Sequence, residues 1–370
     1  MAIVIESYTE DLTPAVKAFN CRLAAGGVAR EFRFPETSVP EWLPRRNGER
    51  IYQEYFVAVN GDRVHGGFIL KSQDFVVDGR LLSLAHYRLP VSEGIIDRAY
   101  ASVGVHMLRG ALKMRPMLFA LGMGGLDRPL PQMLGAAGWS LREVPFFFRV
   151  NHPSRFFRQV AALRQSPARR LMADLAAISG IGWLGIKTAH LVRTRSTRSP
   201  TSVEAVEHFG PWADQLWQQC HGQYGVIARR DRSTLNPLYS SDERFIRLKI
   251  TRGREPVGWV VVLDTQMQKN KYFGDLRVGT IVDGLAQPQD APAVVQAATE
   301  ALSDRGVDVI VSNQAHRAWG DALKTAGFFE ARSNFIFAAS PQLSELIGPL
   351  EAVPDRMFLN RGDGDGPVNL

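Results

Sequence analysis

The stretch AAGWSLREVPFFFRV at residues 136–150 has a counterpart, TAGFFEARSNFIFAA, at residues 325–339. Each copy has a small residue and a glycine, then an aromatic residue, a few polar residues and a Phe-rich run that predicts a strand. Sliding residues 116–148 onto 305–337 needs no gap and gives a constant offset of 189 residues. The recurrence predicts two similarly built domains in one chain.

Each copy begins in the same way. An apolar strand, MLFAL at 117–121 or VDVIV at 307–311, precedes a short helix. The glycine after the helix, Gly138 or Gly327, predicts a left-handed residue that ends it. The Phe-rich strand then returns to the sheet.

Upstream of each copy the sequence predicts antiparallel strands and a further helix. In the first half, YFVAVNGDRVHGGFIL predicts a hairpin around Asn60-Gly61, and residues 93–114 predict a helix. In the second half, APAVVQAATEALSDRG predicts a helix with Asp290 as N-cap and Gly306 just past its end.

Charge and composition describe a globular chain with one basic segment. The 370 residues are 45% hydrophobic and carry a net charge of +7, and residues 151–200 alone hold nine Lys/Arg against one Asp. The two cysteines are too few for a disulfide framework, and the lone Cys220-His221 pair is a weak metal signal, so we predict no metal. The predicted parts are an N-terminal domain at 1–150, a basic amphipathic linker at 151–199, a C-terminal domain at 200–345 and a polar tail at 346–370.

The linker contains an apolar segment, residues 171–192, between groups of arginines. Its three ionisable residues and its Gly-Ile-Gly break argue against a membrane-spanning helix. It is either a helix packed between the domains or, through residues 165–198, a contact with an anionic membrane surface. Contact with an RNA backbone is a third interpretation. We expect a cytoplasmic protein. If residues 165–198 contact a membrane, we expect the protein to attach peripherally to the inner membrane.

The order of elements, with ALKTAGFFEARSNFIFA and MLGAAGWSLREVPFFF as endings, resembles the GNAT acyltransferase superfamily. The resemblance implies an α/β (α+β) fold of two tandem GNAT-like domains, each a mixed, mostly antiparallel sheet flanked by helices, joined by a basic helical linker. Two unrelated α/β units with ordinary helix caps are the alternative. The overall design also resembles bacterial GNAT-like proteins associated with exopolysaccharide biosynthesis.

The resemblance implies acetyl-CoA or a longer acyl-CoA as co-substrate, but the phosphate loop departs from the family pattern Arg/Gln-x-x-Gly-x-Gly/Ala. The first half offers Ser92 and Gly94 after its fourth strand. The second half has no glycine there, and the carboxylate of Asp290 would compete with a phosphate for the helix amides.

A second glycine-rich segment, ALGMGGLDRP, follows the fifth strand of the first half. Gly122, Gly124 and Gly125 would let backbone amides approach a phosphate, with Arg128 adding charge. A tight strand-to-helix connection is the alternative.

Acyl transfer needs a base near the nucleophile and donors for the developing oxyanion. In the second half we predict Asp283 and His316 as catalytic residues, with Asn313 and Gln314 binding substrate. Burial among apolar neighbours would raise the pKa of Asp283 toward a useful range. The alternatives are a carboxylate that caps backbone amides and a surface histidine at a helix start.

The first half offers His86 and Tyr87 as substrate-binding residues on its fourth strand. Adjacent side chains on a strand face opposite ways, so one of them at most points into the cleft. We expect the second half to carry catalysis or acceptor binding and the first half to help hold the donor.

Three functions follow. The first is transfer of an acyl group from acyl-CoA to an amine or hydroxyl, on a small-molecule, sugar or lipid-linked acceptor. The second is a Fem-type transferase that uses aminoacyl-tRNA, which is also tandem GNAT-like and lacks the coenzyme A loop. The third is a non-catalytic scaffold in polysaccharide assembly.

Overall fold

The structure, a computed structural model, describes residues 3–159, 201–239 and 243–364. The predicted membrane contact at 165–198 and most of the predicted linker lie outside the described residues, as does the end of the tail. The start of the linker is helical over Pro153–Gln159.

The described elements alternate short helices with longer strands. The strands are β1 Val4–Ser7, β2 Tyr52–Asn60, β3 Arg63–Val77, β4 Arg80–Ser92, β5 Leu118–Met123, β6 Ser140–Glu143, β7 Phe146–Val150, β8 Thr201–Ala205, β9 Val226–Ala228, β10 Phe245–Arg252, β11 Glu255–Gln266, β12 Arg277–Ala286, β13 Val309–Asn313, β14 Phe329–Ala331, β15 Phe335–Ala339 and β16 Met357–Phe358. The α-helices are α1 Thr13–Ala25, α2 Val103–Met114, α3 Pro129–Ala136, α4 Pro153–Gln159, α5 Pro211–Cys220, α6 Arg232–Leu238, α7 Ala291–Asp304, α8 Arg317–Thr325, α9 Pro341–Ile347 and α10 Val353–Arg356.

The chain divides into two compact units, each made of two chain segments. Unit 1 contains Met1–Arg142 and Ile336–Leu350, and unit 2 contains Glu143–Phe335 and Glu351–Leu370.

The sheet of unit 1 has the strand order β1-β2-β3-β4-β5-β15-β6. Its strands β1 to β4 are antiparallel, and β4 pairs in parallel with β5. The predicted hairpin is confirmed, because β2 and β3 meet at Gly61, which is left-handed with φ 62°. One apolar cluster includes Phe68, Tyr87 and Leu134, and a second contains Phe19 and Ile69.

The helix predicted at 93–114 is shorter than expected, since α2 begins at Val103. Residues Glu93–Ile95 and Arg98–Tyr100 form 3-10 turns instead. The side chain of Asp97 accepts the backbone N–H of Ala99 at 2.9 Å. Such a local side-chain bond competes with the helix and delays its start.

The sheet of unit 2 has the order β14-β7-β13-β12-β11-β10-β8, with β12 and β13 parallel. Helix α7 ends as predicted, because Gly306 is left-handed with φ 75°. Asp290 occupies the N-cap position of α7 but makes no capping bond with its side chain. Its Oδ1 instead accepts from Arg252 Nη2 at 2.7 Å.

The two Phe-rich strands have identical extents at the offset of 189 residues, β7 at Phe146–Val150 and β15 at Phe335–Ala339. However, β7 pairs with β13 in unit 2, and β15 neighbours β5 in unit 1. Each terminal strand therefore lies in the sheet of the other half. The units depart in this way from the predicted contiguous domains at 1–150 and 200–345. Both strands present the same alternating Phe pattern, so strand patterning satisfies either pairing.

No helix within residues 3–159, 201–239 and 243–364 has both the length and the apolar character needed to cross a bilayer.

Candidate functional site

In unit 1, the parallel strands β4 and β5 separate after a short pairing. Their paired residues are Ala85 with Leu118 and His86 with Phe119. Beyond this point the backbone N–H of Leu121 donates to Nε2 of His86 at 3.2 Å, and the imidazole stacks on Phe119 at 4.9 Å. The side chain of His86 thus takes the place of a backbone hydrogen bond between the two strands. We call the place where β4 and β5 stop pairing the unit 1 opening.

A bulge in β4 lies just after His86, next to the unit 1 opening. Arg88 pairs with Ile69, but Val91 pairs with Gly67, so Leu89 and Pro90 lie opposite the single residue Phe68 and β4 has one extra residue. Leu89 has φ 45°, a left-handed conformation uncommon outside glycine. Bulges re-aim backbone groups and are frequent beside functional sites.

The predicted substrate-binding residues His86 and Tyr87 face opposite sides of the sheet. Tyr87 is buried in the core, where its ring packs 5.3 Å from Phe68, and burial raises the pKa of its hydroxyl. Of the two, His86 is the residue at the unit 1 opening.

The amino end of α2 lies next to the end of β4. Its N-cap residue Ser102 makes no capping bond with its side chain, and the first turn holds no acidic residue. The Cβ position of Gly104 lies 4.0 Å from Oγ of Ser92, so Ser92 is close to this helix end. Sequence reasoning missed Ser102 and Gly104, although small residues at a helix start are a usable signal.

Gly94 has a packing role. A Cβ there would lie 2.8 Å from the carbonyl oxygen of Tyr100 and 3.0 Å from Cα of Ala101. The glycine lets the connection between β4 and α2 fold onto itself.

A buried ionic cluster braces the same connection. Glu93, 4% exposed, accepts from Arg22 Nε at 2.6 Å and lies 2.6 Å from Nδ1 of His65. Burial pushes the pKa of Glu93 up, but its bonds with Arg22 and His65 outweigh burial and lower it. The ring of His65 stacks on Tyr100 at 4.5 Å, so the cluster supports the turn before α2.

The glycine-rich segment after β5 is a run of left-handed residues. Gly122, Met123, Gly124 and Gly125 have φ of 97°, 65°, 80° and 122°. Arg128 is exposed at the N-cap of α3 and donates its backbone N–H to Gly125 at 3.2 Å. The segment makes a tight connection between β5 and α3, and a role for Gly122, Gly124, Gly125 and Arg128 in phosphate binding stays a prediction.

Several half-buried apolar side chains lie at the surface of the unit 1 core. Tyr100, Met123, Leu130 and Met133 pack against the unit 1 core without being fully enclosed. The sulfur of Met133 lies 3.6 Å from the Cβ position of Gly104. Methionine side chains adapt to irregular apolar ligands, so this surface suits a flexible chain.

In unit 2, Asp283 on β12 is enclosed by hydrogen-bond donors. Its Oδ1 accepts from Arg230 Nε at 3.0 Å, from Asn360 Nδ2 at 2.7 Å and from the N–H of Gly284 at 2.8 Å. Its Oδ2 accepts from the hydroxyl of Tyr239 at 2.8 Å. Both Asp283 and Arg230 are almost fully buried, at 2% and 1% exposed. This arrangement fits the interpretation of Asp283 as a structural carboxylate.

A second carboxylate, that of Asp363, binds the same guanidinium of Arg230. Arg230 Nη2 donates to Oδ1 and Oδ2 of Asp363 at 2.8 and 2.9 Å. Burial raises the pKa of Asp363; Arg230 opposes this effect and Asp283 adds to it. Burial lowers the pKa of Arg230, but Asp283 and Asp363 outweigh it, so the guanidinium stays charged.

The other predicted residues of the second half hold chain segments together. Asn313 Oδ1 accepts from Arg361 Nε at 3.0 Å, and Gln314 Oε1 accepts the N–H of His316 at 3.1 Å. Asn313, Gln314 and His316 are buried. A catalytic role for Asp283 and His316 stays a prediction.

His316 is a buried histidine, not a surface one. Its ring meets that of Tyr224 edge-on at 4.9 Å, and Nδ1 has no hydrogen-bond partner among the described residues. Burial lowers the pKa of His316, while Asp355 opposes the shift.

Aromatic side chains fill the space beside β12. Trp319 Nε1 donates to the hydroxyl of Tyr224 at 3.0 Å, and that hydroxyl donates to the carbonyl of Ala286 at 2.7 Å. The Trp319 ring lies 3.1 Å from the Cβ position of Gly284. Unit 2 therefore has a packed interior where unit 1 has half-buried methionines. Within the described parts of the chain, no group of His, Cys, Asp and Glu is arranged to hold a metal ion.

Comparison with solved structures finds this fold elsewhere. A conserved protein of unknown function from Enterococcus faecalis V583, described as a probable N-acyltransferase, matches with TM-score 0.51 and 9% identity over 93% of this chain and 74% of that chain. N-myristoyltransferase of Saccharomyces cerevisiae, solved with bound myristoyl-CoA, matches with TM-score 0.51 and 10% identity over 92% and 78%. No protein-family profile and no curated protein sequence matches the chain. The likeness establishes the fold, a mixed α/β fold of the GNAT type.

Proposed function

We propose that this protein transfers an acyl group from an acyl-CoA to an amine or hydroxyl, and that unit 1 holds the donor. The observation that carries the proposal is the separation of β4 and β5 next to the amino end of α2, which no side chain caps and whose first turn has no acidic residue. The shared fold supports it, since one of the similar structures is a transferase with bound myristoyl-CoA.

Three features of unit 1 suit the binding of an acyl-CoA and the transfer of its acyl group. Unpaired N–H groups at a helix amino end bind phosphate, so residues 102–105 would hold the pyrophosphate of the donor. The bulge at Leu89 supplies a re-aimed backbone N–H for the oxyanion of the thioester. His86 is a positioning residue, because it fixes the distance between the strands.

Unit 2 would have a different task. Asp290 places a carboxylate at the start of α7, and Asp283 is committed to Arg230. We therefore propose that unit 2 supports the fold or the acceptor, in a tandem arrangement of two GNAT-like halves. A sugar or lipid-linked acceptor, as in envelope polysaccharide synthesis, is our proposal from the family resemblance.

Calorimetric titration with acetyl-CoA and decanoyl-CoA tests the donor site. We expect one saturable site per chain. Val105→Glu adds a carboxylate to the exposed first turn of α2 and should weaken binding about 10-fold by repelling the phosphates. Arg109→Gln is the matched control: it also lowers the net charge by one, at an exposed position of the same helix, and should leave the affinity within about 2-fold.

Absence of saturable binding by either acyl-CoA would overturn the proposal. Salt-dependent binding of tRNA would then favour the aminoacyl-tRNA function. If neither an acyl-CoA nor tRNA binds, the non-catalytic scaffold function would be favoured.

A further inference from the structure

Residues 357–363, which we call the C-terminal strap, cross the end of the sheet in unit 2. Met357 and Phe358 pair in parallel with Val226 and Ile227 of β9. The N–H of Ala315 donates to the carbonyl of Leu359 at 2.9 Å. The strap thus adds its backbone to neighbouring segments, as bound extended peptides do.

Two side chains of the strap enter polar sockets. Asn360 donates through Nδ2 to Asp283, and Asp363 receives both bonds from Arg230 Nη2. The strap is held in a turn, because the N–H of Asn360 donates to Oδ2 of Asp363 at 2.9 Å and the N–H of Gly362 donates to Oδ1 of Asn360 at 3.0 Å.

The fit between the turn and its sockets is close. A Cβ at Gly362 would collide with the hydroxyl of Tyr239 and would lie 2.8 Å from Cβ of Asp283. Position 362 therefore admits glycine alone, and the sequence Asn-Arg-Gly-Asp is matched to this socket.

The arginine makes the socket selective for a carboxylate. Among the described residues, Nε of Arg230 is used by Asp283 and Nη1 by the carbonyl of Ala228, whereas the acceptors of Nη2 are Asn360 and Asp363. A fully buried guanidinium that loses its acceptors is strongly destabilising. Without the strap, Arg230 would keep Asp283 and Ala228 but Nη2 would lose Asn360 and Asp363, which favours a second carboxylate at this position.

We propose that the end of β12 in unit 2 forms a peptide-binding site, and that the strap is its displaceable ligand in cis. The ligand class is an extended peptide with an Asn-x-Gly-Asp turn whose carboxylate meets Arg230. This site is separate from the donor site proposed for unit 1.

Cutting the folded chain tests whether the strap is a ligand or part of the core. A protease recognition sequence inserted at the exposed Pro349 allows cleavage after folding. A fluorescent, amidated peptide of residues 351–364 is then titrated into the cleaved protein, and anisotropy reports exchange. We expect saturable uptake that unlabelled peptide of the same sequence reverses.

Two peptide variants provide a matched pair. Asp363→Asn removes the carboxylate bound to the buried Arg230 and should weaken binding by ~100-fold or more. Asp355→Asn removes an exposed pair with Arg317 and should change binding by less than ~5-fold.

Two results would overturn the proposal. One is equal binding of the Asp363→Asn and Asp355→Asn peptides. The other is retention of the cleaved strap in a urea titration until unit 2 unfolds globally, which would make the strap part of the core.

Discussion

The two units share a strand arrangement and differ in what occupies the place where their parallel strands part. In unit 1, β4 and β5 part after His86 and Phe119, and half-buried methionines lie beside the opening. In unit 2, β12 and β13 are paired through Ile281 and Ser312, and beyond this level Trp319 and the C-terminal strap take up the space. The same strand arrangement thus leaves half-buried apolar side chains in unit 1 and a packed, ion-paired interior in unit 2.

The charge at the amino end of the helix that follows the fourth strand also differs between the two units. The N-cap residue of α2 is the uncharged Ser102, whereas the N-cap residue of α7 is Asp290, which is paired with Arg252. A carboxylate at a helix amino end occupies the position that an anion would take. The comparison therefore predicts donor binding in unit 1.

The largest expected effect comes from breaking the buried ion cluster of unit 2. Arg230→Met should lower the free energy of unfolding by about 3–5 kcal/mol, because Asp283 and Asp363 stay buried without their cation. Arg252→Met removes a pair whose arginine is 45% exposed and should cost at most about 1 kcal/mol. Urea unfolding measures both, and equal losses would contradict the difference between the buried ion cluster and the exposed ion pair of unit 2.

A smaller effect distinguishes two glycines, Gly284 on strand β12 of unit 2 and Gly104 in the first turn of helix α2 of unit 1. Gly284→Ala should cost about 1–3 kcal/mol, since its Cβ would lie 3.0 Å from the carbonyl of Trp259 and 3.1 Å from the Trp319 ring. Gly104→Ala should stabilise by about 0.5–1 kcal/mol, because it lies in a helix and the nearest atom to its Cβ is 3.6 Å away. Thermal unfolding tests the pair. A stabilising Gly284→Ala would show that unit 2 is not packed tightly at β12.

The smallest effect is a pH dependence from His316. Its folded pKa is lowered by burial, with Asp355 raising it and Arg317 lowering it, so the unfolded chain binds the proton more tightly. The stabilising contribution is complete above the usual pKa of 6.5 and is lost as pH falls below that value toward the folded pKa. His316→Gln should reduce this loss of stability relative to the unmodified protein, and His106→Gln, at a partly exposed position, serves as control. Identical pH profiles for the protein and His316→Gln would contradict the burial of an uncharged imidazole.

The sequence predicted the local elements of the fold because they depend on short patterns. The strand bounds of β7 and β15 repeat at one offset, and Gly138 and Gly327 end their helices with φ of 81° and 88°. The exchange of these strands was not predictable, because both carry the same Phe pattern and neither excludes the other sheet.

The site was predicted less well, because its partners are distant in the chain. Asp283 was recognised as an unusual acid in an apolar strand, but its role depends on Arg230 and Asp363, which are 133 positions apart. A buried acid requires a cation, so Arg230 after the short strand β9 was the available signal. Ser102 and Gly104 were missed because a longer helix was expected at 93–114.

Hydrogen exchange with saturating decanoyl-CoA tests most directly whether unit 1 takes the donor and unit 2 does not. The account predicts slower exchange of amides in residues 88–94, 102–106 and 120–125, with residues 282–291 and 313–320 unchanged. Protection confined to residues 282–291 and 313–320 would contradict it and would place the donor in unit 2.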